Sequence, residues 1–314
     1  MRSTHDLAVL DQGQGGGALP HAPRLLVIAN PLAGTGAGRQ LLQRTLDVLR
    51  AEGCRLLIAE ARTPEEIAAL AGGTGPEDAD AVVAAGGDGT INAAANGLMQ
   101  RDFPLPLGVL AVGTANVMAL EMGLKRQPRA LAAPFLNGRL RPVTPIETPA
   151  GHALLMVGAG FDGAVVAALA ARPALKWRWG KLAYLPPVLD RIRHYDWPEI
   201  SVRIDGAPHR AHGVVAVNGR LYGGAFRAVP EGDITRPGMH VVLLGGQGVA
   251  ALLRQGAALA AGRLDRLADV RILPARELVI DGPAGLAIQA DGDPLPPAPA
   301  LLRVADRSLN LIWP

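Results

Sequence analysis

Between Arg24 and Leu124 the sequence repeats one cycle four times: a short apolar run, a glycine-rich or capped turn, then apolar residues at helical spacing. RLLVIAN (24–30) leads through NPLAGTGAG into RQLLQRTLDVLRAEG, which closes on Gly53. CRLLIAEA (54–61) precedes TPEEIAALAG, where Thr63 reads as N-cap, Pro64 as first helical residue and Glu66 as the partner in a capping box. DAVVAAGG (80–87) hands over to TINAAANGLMQ, and PLGVLAV (106–112) to GTANVMALEMGL (113–124). Strands separated by helices in this way predict a parallel sheet covered on both faces.

After Pro142 the cycle stops. HALLMVGAG, EISVRIDG, HGVVAVNG, HVVLLGG, VRILP, LVIDG, LAIQADG and LRVADRSLNLIW follow one another with turns between them. Helical stretches interrupt near 162–171, 181–194 and 248–261. Consecutive strands with short connections predict an antiparallel sandwich or meander. The expected organisation is a loose Gly-rich leader over 1–23 and an α/β domain over 24–145, with 303–314 as a candidate for completing its sheet. A mostly antiparallel β domain over 146–302 follows.

Three of the strand-to-helix turns carry the chemistry: NPLAGTGAG, GGDGTIN and GTAN. Ligands of open α/β sheets bind beyond the carboxyl ends of the strands, where a helix N-terminus offers free N–H groups and partial positive charge to phosphate oxygens. Gly86, Gly87 and Gly89 would let the ligand approach the backbone, and Thr90 and Asn92 would add side-chain hydrogen bonds. Asp88 repels phosphate unless a cation lies between them or it binds sugar hydroxyls instead, and Mg²⁺ bridging nucleotide phosphates is the usual resolution. Other phosphate signatures fit less well: GTGAGR (34–39) lacks the lysine of GxxxxGK[ST], and Arg39 occupies the third glycine position of GxGxxG.

Apolar residues make up 49% of the 314 positions and charged residues 19%, which suits a packed core. No apolar run reaches the ~18–20 residues that span a bilayer, and no apolar segment follows Arg2 as in a secretory signal. A single cysteine, Cys54, excludes an internal disulfide and fits a reducing compartment. These features predict a cytoplasmic protein that touches a membrane only from outside. Net charge is +3, too small to argue for nucleic acid. Its distribution is uneven, because Arg172–Tyr195 holds six Lys/Arg against Asp190 alone, together with Trp177, Trp179, Tyr184 and Tyr195. That composition suits a membrane interface, or a helix whose basic face is simply solvated. His209 and His212 have no acidic companions, so no metal cluster is expected there.

GGDGT resembles a motif shared by NAD kinases, diacylglycerol kinases and sphingosine kinases. Further pieces resemble the lipid-kinase branch in order: GGDGTINAAANGL is similar to GGDGTxNEVxNGL, and LGVLAVGTANVMALEMGL to a PxGTxNDFA segment. VGAGFDGAVV (157–166), WGKLAY (179–184) and NGRLYGGAFRAVPEG (218–232) resemble second-domain stretches of bacterial diacylglycerol kinase-like proteins. ADGD (290–293) sits where these kinases carry DGE. The ordered set resembles the diacylglycerol kinase catalytic-domain family, of bacterial diacylglycerol/sphingosine type, across nearly the whole chain after Pro23.

The resemblance implies a Rossmann-like, NAD kinase-like nucleotide domain followed by a β-sandwich lipid domain. It implies ATP- and Mg²⁺-dependent phosphorylation of a hydroxyl on diacylglycerol, a sphingoid base or a ceramide-like lipid. By position, Asn30, Gly86, Gly87, Asp88, Gly89, Thr90, Ile91, Asn92, Gly113, Thr114 and Asn116 would bind the nucleotide, with Asp88 also taking the metal and a catalytic role. Thr63 matches too, although capping explains it without a ligand. Asp293 would replace the catalytic glutamate as general base; DGDP is also good turn chemistry, and the resemblance favours catalysis. Ala111 and Val117 replace the proline and aspartate of PxGTxND, and Pro237-Gly238 stands where relatives carry the Asp-Gly of a structural Mg²⁺, so that ion is not expected. The implied partner is a lipid at the inner membrane face, with peripheral association, no nucleic acid, and homodimerisation left open. Rival readings are a NAD kinase, which shares GGDGT, and a nucleotide- or lipid-binding regulator without turnover.

Overall fold

The computed structural model describes residues 17–31, 36–171, 188, 192 and 194–314. Most of the expected leader, the turn residues 32–35 and most of the basic segment from Arg172, including WGKLAY, lie outside the described residues. The first lobe runs β1 (Arg24–Ala29), α1 (Gly36–Ala51), β2 (Arg55–Glu60), α2 (Pro64–Gly73), β3 (Ala81–Gly86), α3 (Asp88–Met99), β4 (Leu107–Ala111), α4 (Val117–Glu121), α5 (Pro128–Asn137), β5 (Arg139–Val143). The second continues β6 (Ile146–Thr148), β7 (Gly151–Ala153), β8 (Met156–Gly160), α6 (Phe161–Ala170), β9 (Ile200–Ile204), β10 (Ala207–Ala211), β11 (Gly213–Val217), β12 (Leu221–Tyr222), β13 (Phe226–Arg227), β14 (Met239–Leu244). It ends with α7 (Gly248–Ala260), β15 (Val270–Ala275), β16 (Glu277–Asp281), β17 (Ile288–Ala290), β18 (Asp293–Leu295), β19 (Ala300–Val304) and β20 (Leu309–Trp313).

The first sheet has the order β2-β1-β3-β4-β20-β5, parallel except where β5 pairs antiparallel with β20. The step from β1 to β2 goes one way and the steps to β3 and β4 the other. Right-handed crossovers therefore put α1 on one face and α2 and α3 on the opposite one. The packing agrees, with α2 on α3 and α1 on α5. Both faces being covered, AVVAAG of β3 and LGVLA of β4 are buried at every position.

Two helices differ from the sequence pattern for local reasons. The third starts at Asp88 rather than Thr90, because Gly87 takes the N-cap and its carbonyl accepts from Thr90 N and Ile91 N at 3.0 and 3.1 Å. The helix expected over 113–124 shrinks to α4, because Asn116 adopts a left-handed conformation (φ 53°) and Gly123 another (φ 72°). The pattern did not mark α5, which begins on Pro128 and holds Pro134 inside it.

Two antiparallel sheets make the second lobe, ordered β10-β9-β16-β19-β6-β7 and β15-β14-β11-β8-β17-β18. Ile200, Val202, Leu278, Ile280 and Leu302 of one meet Val157, Val214, Ala216, Val241 and Ile288 of the other in a sandwich core. The opposite face of the second sheet is also buried: Met156, Val215, Val217 and Val242 join the core of the first lobe. The run LRVADRSLNLIW therefore yields two strands in two sheets, β19 in the sandwich and β20 in the parallel sheet. Likewise HALLMVGAG breaks into β7 and β8 at Leu154–Leu155.

Candidate active site

The turns after β1, β2, β3 and β4 all leave the carboxyl edge of the first sheet. After β3, Gly87 caps α3 without a side chain, so no side-chain oxygen occupies the N–H groups that open the helix. Gly113 presses against it: a Cβ there would run into the Cα and N of Gly87, so only glycine lets the two turns converge. Gly89 faces outward, and a Cβ on it would meet nothing within 4 Å. None of the three has a positive φ. Close approach rather than backbone freedom selects glycine at Gly113, whereas Gly89 is left open to the outside.

The side chains around them divide into ligand-facing and structural. Asp88 Oδ1 accepts from Met118 N at 3.0 Å, so one carboxylate oxygen holds the start of α4 against the start of α3. Thr90 is buried, with its hydroxyl 3.5 Å from Asn30 Nδ2, and Asn30 N bonds to Ala85 O, which fixes the turns after β1 and β3 together. Ile91 belongs to the core and its N–H donates to Gly87 O, so it is a structural residue of the helix rather than one open to a ligand. Asn116 is buried and donates to Gly113 O at 2.8 Å, shaping the third turn, while Thr114 is exposed. Thr63 is exposed and sits in a complete capping box, its hydroxyl accepting from Glu66 N at 3.2 Å.

From the second lobe the β17–β18 hairpin comes to α3. Asp291 and Gly292 are its two central residues, both with positive φ (49° and 90°), which makes a type I′ turn. The Asp291 carboxylate accepts from Leu154 N (2.7 Å), Leu155 N (3.0 Å), Met156 N (2.8 Å) and Asn92 Nδ2 (2.7 Å). Withdrawal from water outweighs those bonds and pushes its pKa up to about 6. Asn92, one helical turn beyond Asp88, also donates to His152 O at 3.0 Å, and Asn96 bonds the same carbonyl at 2.9 Å. The amide of Asn92 thus joins the lobes. Asp293, the candidate base, is exposed at the first position of β18, directly beyond the turn.

A second network holds the same hairpin from behind. Gly292 N donates to Gln289 Oε1 (2.8 Å), Gln289 Nε2 to Asp162 Oδ2 (2.8 Å), and Tyr222 OH to Asp162 Oδ1 (2.5 Å). Burial raises the Asp162 pKa, against the pull of its Tyr222 and Gln289 hydrogen bonds. Beside Tyr222, Arg220 N and Leu221 N donate to the buried Glu121 of α4 at 2.6 and 2.5 Å. Asp88, α4, Glu121, the β12 strand and the hairpin before Asp293 therefore form one connected path.

The structure accordingly brings Asn30, Gly86–Asn92 and Gly113–Asn116 to one edge, brings the turn preceding Asp293 against α3, and leaves Thr63 in its cap. Sequence reasoning passed over Asp291, Asp162, Gln289, Tyr222 and Glu121. The DG pair of ADGD was the available signal for Asp291; the others have partners 60 to 127 residues away that no local pattern reveals.

The profile of the diacylglycerol kinase catalytic domain matches residues 24–148, and that of the YegS C-terminal NAD kinase beta sandwich-like domain matches residues 155–313. The chain belongs to this family of two-domain lipid kinases, and kinases of this family use ATP. A diacylglycerol kinase of Mycobacterium tuberculosis (strain CDC 1551 / Oshkosh) is 27% identical over 316 residues, covering 93% of this chain and 95% of that one. A diacylglycerol kinase of Bacillus subtilis (strain 168) is 27% identical over 184 residues, 58% of this chain and 60% of that one. The crystal structure of a diacylglycerol kinase from Bacillus anthracis str. Sterne superposes with a TM-score of 0.69 at 16% identity, covering 93% and 97% of the two chains, which shows the fold. Among the described residues no helix is long and apolar enough to cross a membrane.

Proposed function

We propose that this lipid kinase transfers the γ-phosphoryl group of ATP to the free hydroxyl of diacylglycerol, with Asp293 as general base. The observation that carries the reading is the hydrogen bond from Asn92 to Asp291. It sets the hairpin that bears Asp293 against the helix whose first turn is GGDGT. Two relatives that carry the name diacylglycerol kinase favour that lipid over a sphingoid base or ceramide.

The N–H groups opening α3, Thr90, Asn30 and the turn after β4 would hold the polyphosphate, in a geometry set by the contact of Gly87 with Gly113. The second oxygen of Asp88 is the group suited to Mg²⁺, which when bound would neutralise charge on the phosphates. Asp293 accepts the lipid hydroxyl proton as the new O–P bond forms and the bond to the ADP oxygen breaks. Aspartate is one methylene shorter than the family glutamate, so the lipid hydroxyl must come closer to the β18 backbone.

Purified protein, labelled ATP and Mg²⁺ with a panel of diacylglycerol, sphingosine, ceramide and NAD test this directly. Label in phosphatidic acid is expected. Label only in NAD, or ATP binding without transfer to any acceptor, would overturn it.

A further inference from the structure

Eight large apolar side chains are strongly exposed among the described residues, and Leu120, Phe226, Val249 and Leu253 among them lie on elements that touch in sequence: α4 on β12, β12 paired with β13, and β13 on α7. Isolated exposed apolar residues are ordinary, but a contiguous set marks a contact surface. The α7 sequence GVAALLRQGAALA buries Ala251 and Gln255 alone. Val249, Leu253, Gly256, Ala257 and Ala260 fall on the opposite side at helical spacing, an outward stripe with no charge in it. Leu253 is 63% exposed and Phe226 46%.

Charge says what covers this face. Neither the β12–β13 hairpin (220–227) nor the α7 stretch (247–263) contains an acidic residue, whereas together they hold Arg220, Arg227, Arg254 and Arg263. Arg220 pairs with Glu121 and Arg254 with Asp269. Arg227 and Arg263 have no ion pair among the described residues, and both are exposed beside the apolar stripe. Apolar side chains flanked by the exposed Arg227 and Arg263 suit lipid tails below and anionic headgroups beside them. The surface also adjoins the chemistry, because Tyr222 of the same hairpin is tied through Asp162 and Gln289 to Gly292, next to Asp293. At the other end Gln247, just before α7, donates to Trp197 O at 3.3 Å, and Trp197 stacks on Phe161.

We propose that α7, the β12–β13 hairpin and Leu120 form the face with which the protein sits on an anionic bilayer. It rests on the lipid-kinase reading only for the motive to approach a bilayer, and binding needs no turnover. The full chain is sedimented with vesicles of phosphatidylcholine with or without phosphatidylglycerol. Binding to the anionic vesicles is expected to fall at least about tenfold in Leu253→Glu and in Phe226→Glu. The double variant Arg227→Ser/Arg263→Ser should weaken it by a smaller factor and reduce its salt dependence. Leu57→Glu, on the edge strand β2, serves as the control and should bind as wild type with the same melting curve. Unchanged binding of Leu253→Glu, or no wild-type binding at all, overturns the surface. So does a solution dimer that Leu253→Glu dissociates, since a second copy would then cover the face. Vesicle binding without phosphoryl transfer to any lipid would leave this surface standing and sink the kinase reading instead.

Discussion

At the carboxyl edge of the first sheet the surface proposed for phosphate is backbone: Gly87 touches Gly113, Gly89 stands open, and Asp88 uses one carboxylate oxygen on the Met118 amide. In the β17–β18 hairpin, which carries the proposed base, the structure is held by side chains, with Asp291 accepting from four donors and Asp162 holding Gln289 toward Gly292. One half makes room by leaving side chains out. The other places a carboxylate by surrounding its neighbours with hydrogen bonds. Phosphate binding needs many donors at close approach, which amides supply; proton abstraction needs one group held in place, which a braced hairpin supplies.

The largest effect that could break this division is at Asp293. Asp293→Asn should lower kcat by about 10²–10⁴-fold while ATP affinity, measured by calorimetry, stays at the wild-type value. Loss of ATP binding in that variant would mean the hairpin belongs to the nucleotide half. Next come the glycines. Gly113→Ala forces the turn away from Gly87 and should cost roughly 1–3 kcal/mol of stability along with ATP affinity. Gly89→Ala has space and a helical position, so stability should hold or rise by up to ~1 kcal/mol while nucleotide binding weakens. Equal stability losses for the two would contradict the close-approach explanation.

A smaller, pH-dependent effect separates the hairpin from the glycine turns. The Asp291 carboxyl titrates at about 6 in the folded chain and at 3.8 when free. Between those values the folded state keeps a proton that the unfolded chain releases. This group therefore makes the protein more stable as pH falls from about 6 toward about 4, and its ionised form costs stability at neutral pH. Asp291→Asn cannot titrate, so wild type should gain on the variant in denaturant midpoint as pH falls from about 6 to about 4. Parallel curves would contradict the assignment. The smallest effect is at Thr63→Ala, expected to cost ~1 kcal/mol by loss of the cap, with kcat and KM for ATP unchanged.

What was legible in the sequence follows the same division. A close approach demands glycine and a capping box demands Thr and Glu three apart, so GGDGT and TPEE carry their structure in local residue types. The alternation of strands and helices likewise forces a covered parallel sheet, and β1, β3 and β4 form one. Asp291 is different: its partner Asn92 lies 199 residues away, so only the packed lobes reveal the contact. LRVADRSLNLIW reads as one strand because its break depends on distant partners. Arg307 donates to Met99 O at 2.9 Å and Arg101 O at 3.0 Å in the first lobe, which turns the chain from β19 into β20. The short length of α4 has a local cause instead: Asn116 takes a left-handed backbone and bonds Gly113 O three residues back, a conformation that apolar spacing does not register.

The central claim is that polyphosphate lies on the glycine turns of the first sheet and faces the carboxylate at the head of β18. A crystal structure with Mg²⁺ and a non-hydrolysable ATP analogue measures it most directly. Phosphate density against the amides at the start of α3 and the turn at Gly113, with Asp293 across from the γ-phosphate, is expected. Triphosphate bound elsewhere, with those amides unengaged, would contradict the claim.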